Sequence, residues 1–181
     1  MLKPYILFSL IIVVSFLLGC AQPSAPAPNT AESTQPSITE STFTCPLTVP
    51  QVPAFVPPAP YDSLNSFKDH FWFGSNALWT IVPSSGTWGS LPLNPSGYTQ
   101  KILWWRDGYV WDQEPEPNLI VTGERLDASS SPLSASKATN AYASDIGSAM
   151  LVGVDFPTHG CWKITGKYND VELSFVILVA P

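Results

Sequence analysis

Three features of the sequence predict an all-β protein, built as a single β-sandwich that is immunoglobulin-like in the loose sense. Short runs rich in β-branched and aromatic residues recur at fairly even spacing, with Gly, Pro and Asn turns between them. Residues 161–179 carry the pattern of a closing β-hairpin. Charged residues make up only 12% of the chain, which favours an extracellular β-rich domain over a helical cytosolic one. A small β-barrel is the alternative architecture.

The N-terminus, residues 1–19, predicts an export signal. Lys3 precedes an apolar run from Tyr5 to Leu18, which is shorter than the roughly 20 residues of a membrane span. The run ends in Leu17-Leu18-Gly19-Cys20, which resembles the lipobox of bacterial lipoproteins. That resemblance implies that Cys20 begins the mature chain and carries a diacylglyceryl thioether and an N-acyl group, which together hold a protein on a membrane. The alternative is an ordinary secretory signal with an unrelated cysteine.

Residues 20–43 predict a disordered tether behind the lipidated cysteine. The stretch 21–42 is dominated by Ala, Pro, Ser, Thr, Glu and Gln and has one large aliphatic residue, Ile38. Such a composition buries too little apolar surface to offset its ordering entropy. The remaining residues, 44–181, are enough for one domain with a real core.

Cys45 and Cys161 are the two cysteines left once Cys20 carries lipid. An even remainder in a small exported domain predicts one disulfide. Two free thiols are an alternative, and a zinc site is another, although only His159 lies at a suitable distance in sequence. Residues 45–60 contain six prolines, which predict an extended arm lying along the domain. The other interpretation of this arm is a ligand for an aromatic groove.

The central part of the chain alternates strand patterns with loops. Residues 71–82 contain a turn at Gly74-Ser75-Asn76, and a short strand is expected around Trp88. Residues 101–106 are apolar on both faces, which predicts a central or covered strand. Further strands are expected at 119–126 and 150–156. Between them we predict an acidic connection, 107–118, and a Ser/Ala-rich segment with a short helix, 127–148.

The closing hairpin allows its register to be predicted. Asn169-Asp170 suits a two-residue turn. Counting outward puts apolar or glycine pairs on one face: Tyr168 with Val171, Gly166 with Leu173, Ile164 with Phe175, and Trp162 with Ile177. Cys161 falls on the other face near Val176 and Leu178, so a disulfide there would fasten the Pro-rich arm across the outside of the sheet.

Several sequence words resemble those of a group of uncharacterised bacterial secreted proteins and lipoproteins. They are Trp104-Trp105-Arg106, TGERLD at 122–127, FPTHGCWKITGK at 156–167, and Cys45-Pro46 near the domain start. The resemblance covers most of residues 45–179. It implies a single domain with the Cys45–Cys161 disulfide and carries no known activity.

The charge balance disfavours polyanionic partners. The chain has a net charge of −6, and loss of Lys3 with the signal leaves 7 basic against 14 acidic residues, or −7. Such a chain is poorly suited to a phosphate backbone, so no nucleic-acid partner is predicted. Anionic lipid head groups are disfavoured for the same reason.

The sequence predicts no enzyme, metal site or cofactor. It has no Gly-x-Ser-x-Gly nucleophile motif, and His70 and His159 are its only histidines. An exposed helix or strand start explains His70 and a Pro/Gly turn explains His159 more simply than a catalytic role does. Four acidic residues could in principle hold calcium but match no calcium-loop spacing, so a solvated acidic loop is favoured: Asp107, Asp112, Glu114 and Glu116.

The seven tryptophans are the remaining unusual feature. Trp88 lies between Gly86 and Gly89, and Trp111 lies among acidic residues, so both are expected on loops. Adjacent Trp104 and Trp105 must point to opposite sheet faces, which makes Trp105 a third candidate for the surface. We hypothesise that Trp88, Trp105 and Trp111 form a recognition surface for a cell-wall glycan or an envelope protein. The alternative is that they are core or loop-covering residues.

These observations leave three function classes. The favoured one is a lipoprotein anchored in the cell membrane or outer membrane and exposed outside the cytoplasm, acting as a non-catalytic binding module. The first alternative is a structural lipoprotein that maintains the envelope without a discrete ligand, and the second is a hydrolase. A shallow exposed aromatic patch would favour the first class, a fully covered aromatic set the second, and a deep cleft with convergent carboxylates the third.

Overall fold

A computed structural model describes residues 43–61 and 67–181, in which two β-sheets pack face to face. The predicted β-sandwich is therefore confirmed, while its immunoglobulin-like character stays a prediction. The predicted signal, the lipidation site Cys20 and most of the predicted tether lie outside the described residues. Within the described ranges, no helix is long and apolar enough to cross a membrane.

In the described residues eleven strands make up the two sheets, and three of the strands have only two residues. Their bounds are β1 His70–Ser75, β2 Leu78–Pro83, β3 Thr87–Trp88, β4 Leu93–Asn94, β5 Gly97–Trp105, β6 Leu119–Arg125, β7 Ser134–Ala135, β8 Thr139–Ala143, β9 Gly147–Phe156, β10 Gly160–Tyr168 and β11 Val171–Val179.

The larger sheet has seven strands in the order β1-β2-β5-β9-β7. Two more strands share positions in it, because β4 also pairs with β5 and β8 also pairs with β9. Its strand β5 is central and covered on both faces, as its apolar sequence predicted. The smaller sheet has four strands in the order β3-β11-β10-β6, with β3 parallel to β11.

The closing hairpin has the predicted register at every pair. Tyr168 lies opposite Val171, and the ladder continues to Gly160 opposite Val179. Asn169 has a positive φ of 51° in the turn, a conformation that asparagine tolerates better than most residues. The turn therefore sets which side chains face the other sheet.

The main core lies between the two sheets. Met150, Val152 and Phe156 of β9 face Trp162, Ile164 and Phe175 of the smaller sheet, and all six are at most 1% exposed. The Trp104 indole fits only because residue 166 is glycine. A Cβ at Gly166 would lie 2.5 Å from two ring atoms of Trp104, closer than any packed pair of carbons.

The segment 127–148 differs from the prediction, because it contains β7 and β8 and no helix. Both strands pair with β9, and Leu133 beside them packs on Gly123 of β6. Ser and Ala give little strand signal of their own. Pairing with a long, buried neighbour decides the conformation here, which local sequence does not show.

The Pro-rich arm is fastened as predicted by a Cys45–Cys161 disulfide, with 5.6 Å between the two Cα atoms. Beyond it, the Thr48 backbone N–H donates to Val176 O at 2.9 Å, and Val176 N–H donates to the Thr48 hydroxyl oxygen at 2.7 Å. The arm thus reaches the edge of β11 rather than resting only on its face. Val176 and Leu178 are half-buried.

A second cluster, here called the outer aromatic cluster, covers the outside of the larger sheet. Trp79 and Trp105 are its fully buried members, together with Tyr61 and Ala149. The arm and the residue that follows it supply part of the cover: Phe55 and Tyr61 lie 6.0 and 5.7 Å from Trp79, measured between ring centroids. Phe67 and Trp72 lie 6.1 and 5.1 Å from Trp105. The domain therefore has apolar clusters on both faces of this sheet.

Candidate exposed aromatic site

Trp88 is a core residue, so its prediction as a surface residue is wrong. Its strand β3 is only two residues long, but it pairs with Leu178 and Val179 of β11. The backbone bonds Leu178 N–H to Gly86 O and Ala180 N–H to Trp88 O fix it there, at 2.9 and 2.8 Å. The indole then points inward, with its ring centroid 6.0 Å from that of Phe156 and 6.1 Å from that of Phe175.

Trp105 is also buried, at 0% exposure, which corrects its assignment to a recognition surface. Trp104 and Trp105 do point to opposite faces of the larger sheet, as alternation requires. The outer face is not open, however, because the outer aromatic cluster covers it. The indole N–H of Trp105 donates to Ile146 O at 3.0 Å, so its polar atom is satisfied inside the protein.

Trp111 alone among the three predicted tryptophans is exposed, at 39%. It stacks on Tyr142, which is 60% exposed, with ring centroids 5.6 Å apart and ring planes 23° apart. Val110 beside it is exposed as well. We call Trp111 and Tyr142 the exposed aromatic pair. Two large rings left in water on one patch are a feature of recognition surfaces rather than of a covered core.

Tyr142 was missed by the sequence reasoning. It lies on β8, in the Ser/Ala-rich segment where a helix was expected, and its partner Trp111 lies 31 positions earlier. The available signal was a single aromatic residue in a run of small polar residues. Nothing in the sequence indicated that β8 would lie beside the loop 107–118.

Hydrogen bonds hold the exposed aromatic pair in place. Asn140, also on β8, donates through Nδ2 to Trp111 O at 2.6 Å, while its backbone N–H donates to Pro115 O at 3.1 Å. The loop turns on itself through N–H donation from Gln113 to Val110 O at 3.1 Å. The backbone of Trp111 is thereby held beside β8, so less backbone freedom of this loop remains to be lost on binding.

A cluster of polar side chains connects the loop 107–118 to both sheets. The Tyr168 hydroxyl donates to the Glu114 carboxylate at 2.9 Å, and Arg106 forms an ion pair with the same carboxylate at 3.3 Å. Tyr109, 3% exposed, donates to Glu114 O at 3.0 Å. Burial, with a contribution from the nearby Glu114 charge, raises the pKa of Tyr109 to about 12. These groups close one end of the sandwich.

The surroundings of the exposed aromatic pair are acidic. Asp112 follows Trp111 directly and is exposed, as is Asp107 at the start of the loop. Glu114 forms an ion pair with Arg106, and Glu116 forms one with Lys137. The hydrogen bond from Lys137 lowers the pKa of the Glu116 carboxyl. The carboxylates nearest the rings in sequence therefore face solvent.

The exposed aromatic pair and the disulfide lie at opposite ends of the sandwich. Cys161 is the second residue of β10 and Tyr168 the last, and Tyr168 bonds to Glu114 in the loop that carries Trp111. Seven residues of strand separate the two, or about 23 Å. The pairing of Tyr142 with β9 gives the same result. Tyr142 pairs with Ser148 at the start of β9, and the opposite end of β9, Phe156, is followed by the turn that leads to Cys161.

The remaining residues considered for chemistry do not assemble into a site. His70 begins β1 and contacts Lys68 O through Nδ1 at 2.9 Å, and His159 stacks on Tyr98 with 3.9 Å between ring centroids. In the described ranges, no three His, Cys, Asp or Glu side chains lie close enough together to hold a metal ion. The four acidic residues of the loop serve as ion-pair partners or face solvent.

Comparison with known proteins does not place the chain in a family. No protein-family model matches the chain, and neither a curated protein nor a solved structure is significantly similar to it.

Proposed function

We propose that the protein is a lipoprotein, lipidated at Cys20 and held outside the cytoplasm on the cell membrane or outer membrane, whose sandwich is a non-catalytic binding module. The observation that carries the binding role is the exposed aromatic pair. The other six tryptophans are buried or half-buried, so this chain generally covers its indoles. An exposed Trp on a hydrogen-bonded loop over a rigid sandwich is well placed for recognition.

The lipid would restrict that recognition to the envelope. A lipidated Cys20 places every copy within a tether's length of one membrane, so the partner must lie in the same compartment. The proposed partner is a component of the cell envelope that contacts Trp111 and Tyr142.

The test is co-sedimentation of the full chain, purified in detergent, with envelopes from cells that lack it. The double variant Trp111→Ala/Tyr142→Ala is expected to lose at least tenfold in affinity, since exposed aromatic anchors at interfaces commonly contribute about 2 kcal/mol. The matched control is Leu93→Ala on β4, which is 70% exposed and lies at the opposite end of the sandwich, because Leu93 pairs with Tyr98 and Tyr98 with Phe156 at the end of β9. If both variants sediment as the unchanged chain does, the binding role at this site is wrong.

The second candidate is a structural lipoprotein that maintains the envelope without a discrete ligand. The observation that favours it is the covering of Trp88 and Trp105 and the double-sided burial of the larger sheet. It would be preferred if deletion of the protein weakened the envelope and the Trp111→Ala/Tyr142→Ala variant restored it fully. No feature of the described residues favours a hydrolase.

A further inference from the structure

We infer that the exposed aromatic pair binds an uncharged glycan chain by stacking against the faces of its pyranose rings. The inference rests on the proposed binding function and names the class of partner. It follows from the ring geometry, the charge around the rings, the small size of the patch and its place on the domain.

The ring geometry suits a flat apolar face rather than a cation. Trp111 and Tyr142 lie 23° from parallel with their ring centroids 5.6 Å apart, so each ring covers part of the facing side of the other and leaves its own outer face for a ligand. A cage for a quaternary ammonium group instead needs rings on several sides of the cation. The C–H face of a pyranose ring is flat and apolar, and it lies readily against a single aromatic ring.

The surrounding charge selects against anionic polymers. Asp107 and Asp112 are exposed on the loop that carries Trp111, and Arg106 and Lys137 beside it are already paired with Glu114 and Glu116. A teichoic acid, a nucleic acid or an anionic lipid surface would bring phosphates against these carboxylates, while Arg106 and Lys137 are already engaged by their own carboxylate partners. An uncharged sugar chain meets no such repulsion.

The size of the patch argues against a folded protein partner. The patch consists of Val110, Trp111 and Tyr142, each only partly exposed. A stable protein interface takes about 800 Å² from each partner, which three partly exposed side chains do not supply. A few sugar residues need no more than this. Weak binding to each sugar is then compensated when many anchored copies contact one long polymer.

The location of the pair fits a polymer beyond the anchoring membrane. The chain enters the domain at Cys45, and the disulfide fixes that point about 23 Å along β10 from the end that carries the pair. Cys45 and the exposed aromatic pair thus lie at opposite ends of the domain. Trp111 and Tyr142 can face away from the lipid surface while the anchor stays inserted.

The experiment is a titration of the full chain, purified in detergent, with a β-1,4-linked N-acetylglucosamine hexamer, followed by tryptophan fluorescence and calorimetry. Saturable binding is expected. Trp111→Ala and Tyr142→Ala should each weaken it at least tenfold, while Trp111→Phe and Tyr142→Phe, which keep a ring, should stay within about threefold. Leu93→Ala, at the opposite end of the sandwich, should bind as the unchanged chain does. Absence of saturation, or equal binding by the alanine variants, would overturn the glycan assignment.

A second arm separates this inference from the proposed function. Envelopes are digested with a muramidase or with a protease before co-sedimentation. Loss of binding after muramidase and its retention after protease support the glycan. If the protease abolishes binding that still depends on Trp111 and Tyr142, the binding function stands and the glycan assignment is wrong. Tetramethylammonium is added as a competitor, and displacement of the hexamer at millimolar concentration would also contradict the stacking assignment.

Discussion

At the scale of single residues, burial decides what each tryptophan does. The glycines beside Trp88 suggest a loop, and strand alternation puts Trp105 on the face opposite Trp104, yet both indoles are enclosed by chain from distant positions. Trp111 has acidic neighbours and stays exposed. Local sequence was a correct guide only where no distant segment was available to cover the ring.

Trp88→Ala and Trp105→Ala are each expected to destabilise the protein by about 3–5 kcal/mol, because they empty a large buried site. Trp111→Ala should change stability by less than about 1.5 kcal/mol, the range of one exposed ring contact with Tyr142. Urea unfolding followed by circular dichroism measures all three. A Trp88→Ala change as mild as Trp111→Ala would contradict the core assignment.

Gly166→Ala tests the close approach of Trp104 to β10. The added methyl would lie 2.5 Å from the Trp104 ring, which is 0% exposed and has no space to move into. Overpacking of this kind costs about 1–3 kcal/mol. The matched control is Gly153→Ala on β9, where the nearest atom is Ser136 Oγ at 3.6 Å and little change is expected. Equal effects of the two substitutions on the urea midpoint would show that the ring is not fixed.

Ionisation of Tyr109 makes the free energy of unfolding depend on pH in the alkaline range. Its pKa is raised from 10.0 to about 12, so the folded state holds its proton where the unfolded state releases it. The contribution of the protonated Tyr109 to the free energy of unfolding is therefore complete below pH 10 and is lost as pH rises toward 12. This contribution is about 2–3 kcal/mol. Tyr109→Phe should lower stability modestly at pH 8 and flatten the decline above pH 10. An unchanged slope of unfolding free energy against pH would contradict this.

At the scale of elements, predictability followed local turn chemistry and apolar patterning. The register of β10 and β11 was predicted in full because the Asn169-Asp170 turn and one apolar face determine it. The two-residue parallel strand β3 was placed near Trp88, but its pairing with β11 brings together positions about 90 residues apart. No local signal encodes such a pairing.

The outer aromatic cluster shows the same limit. Phe55, Tyr61, Phe67 and Trp72 occur every five or six residues, a spacing that matches neither a helix nor a strand. Their common partners, Trp79 and Trp105, become apparent only once β2 and β5 are side by side. The arm was predicted, but the second apolar cluster that it builds was not.

The disulfide joins the arm to β10, and its removal should mainly affect the unfolded state. It closes a loop of 116 residues, which in the chain-entropy model contributes roughly 4–5 kcal/mol. Cys45→Ser/Cys161→Ser should therefore lower the melting temperature by many degrees. Near-ultraviolet circular dichroism should change little, because the Thr48–Val176 bonds and the packing of Phe55 on Trp79 keep the arm docked. A variant with an unchanged melting temperature would show that the bond is not formed in the exported protein.

At the scale of the whole molecule, anchoring and recognition should be separable. The contacts described for the exposed aromatic pair run from the loop 107–118 to Asn140 and Tyr168, and the arm is fastened by the Cys45–Cys161 disulfide. None of those contacts involves the predicted lipid. The sandwich should then fold and bind equally well with or without it.

Cys20→Ala is accordingly expected to abolish incorporation of labelled palmitate and to release the chain from membranes as an uncleaved or soluble precursor, since the acyl groups are its predicted attachment. The melting temperature of the sandwich and its affinity for the N-acetylglucosamine hexamer should stay those of the unchanged chain. Trp111→Ala/Tyr142→Ala is the complementary variant, with palmitate retained and glycan affinity lost. Palmitate labelling that persists in the Cys20→Ala chain would show that the lipid is attached elsewhere. A loss of glycan affinity in that chain would show that the anchor and the sandwich act together rather than independently.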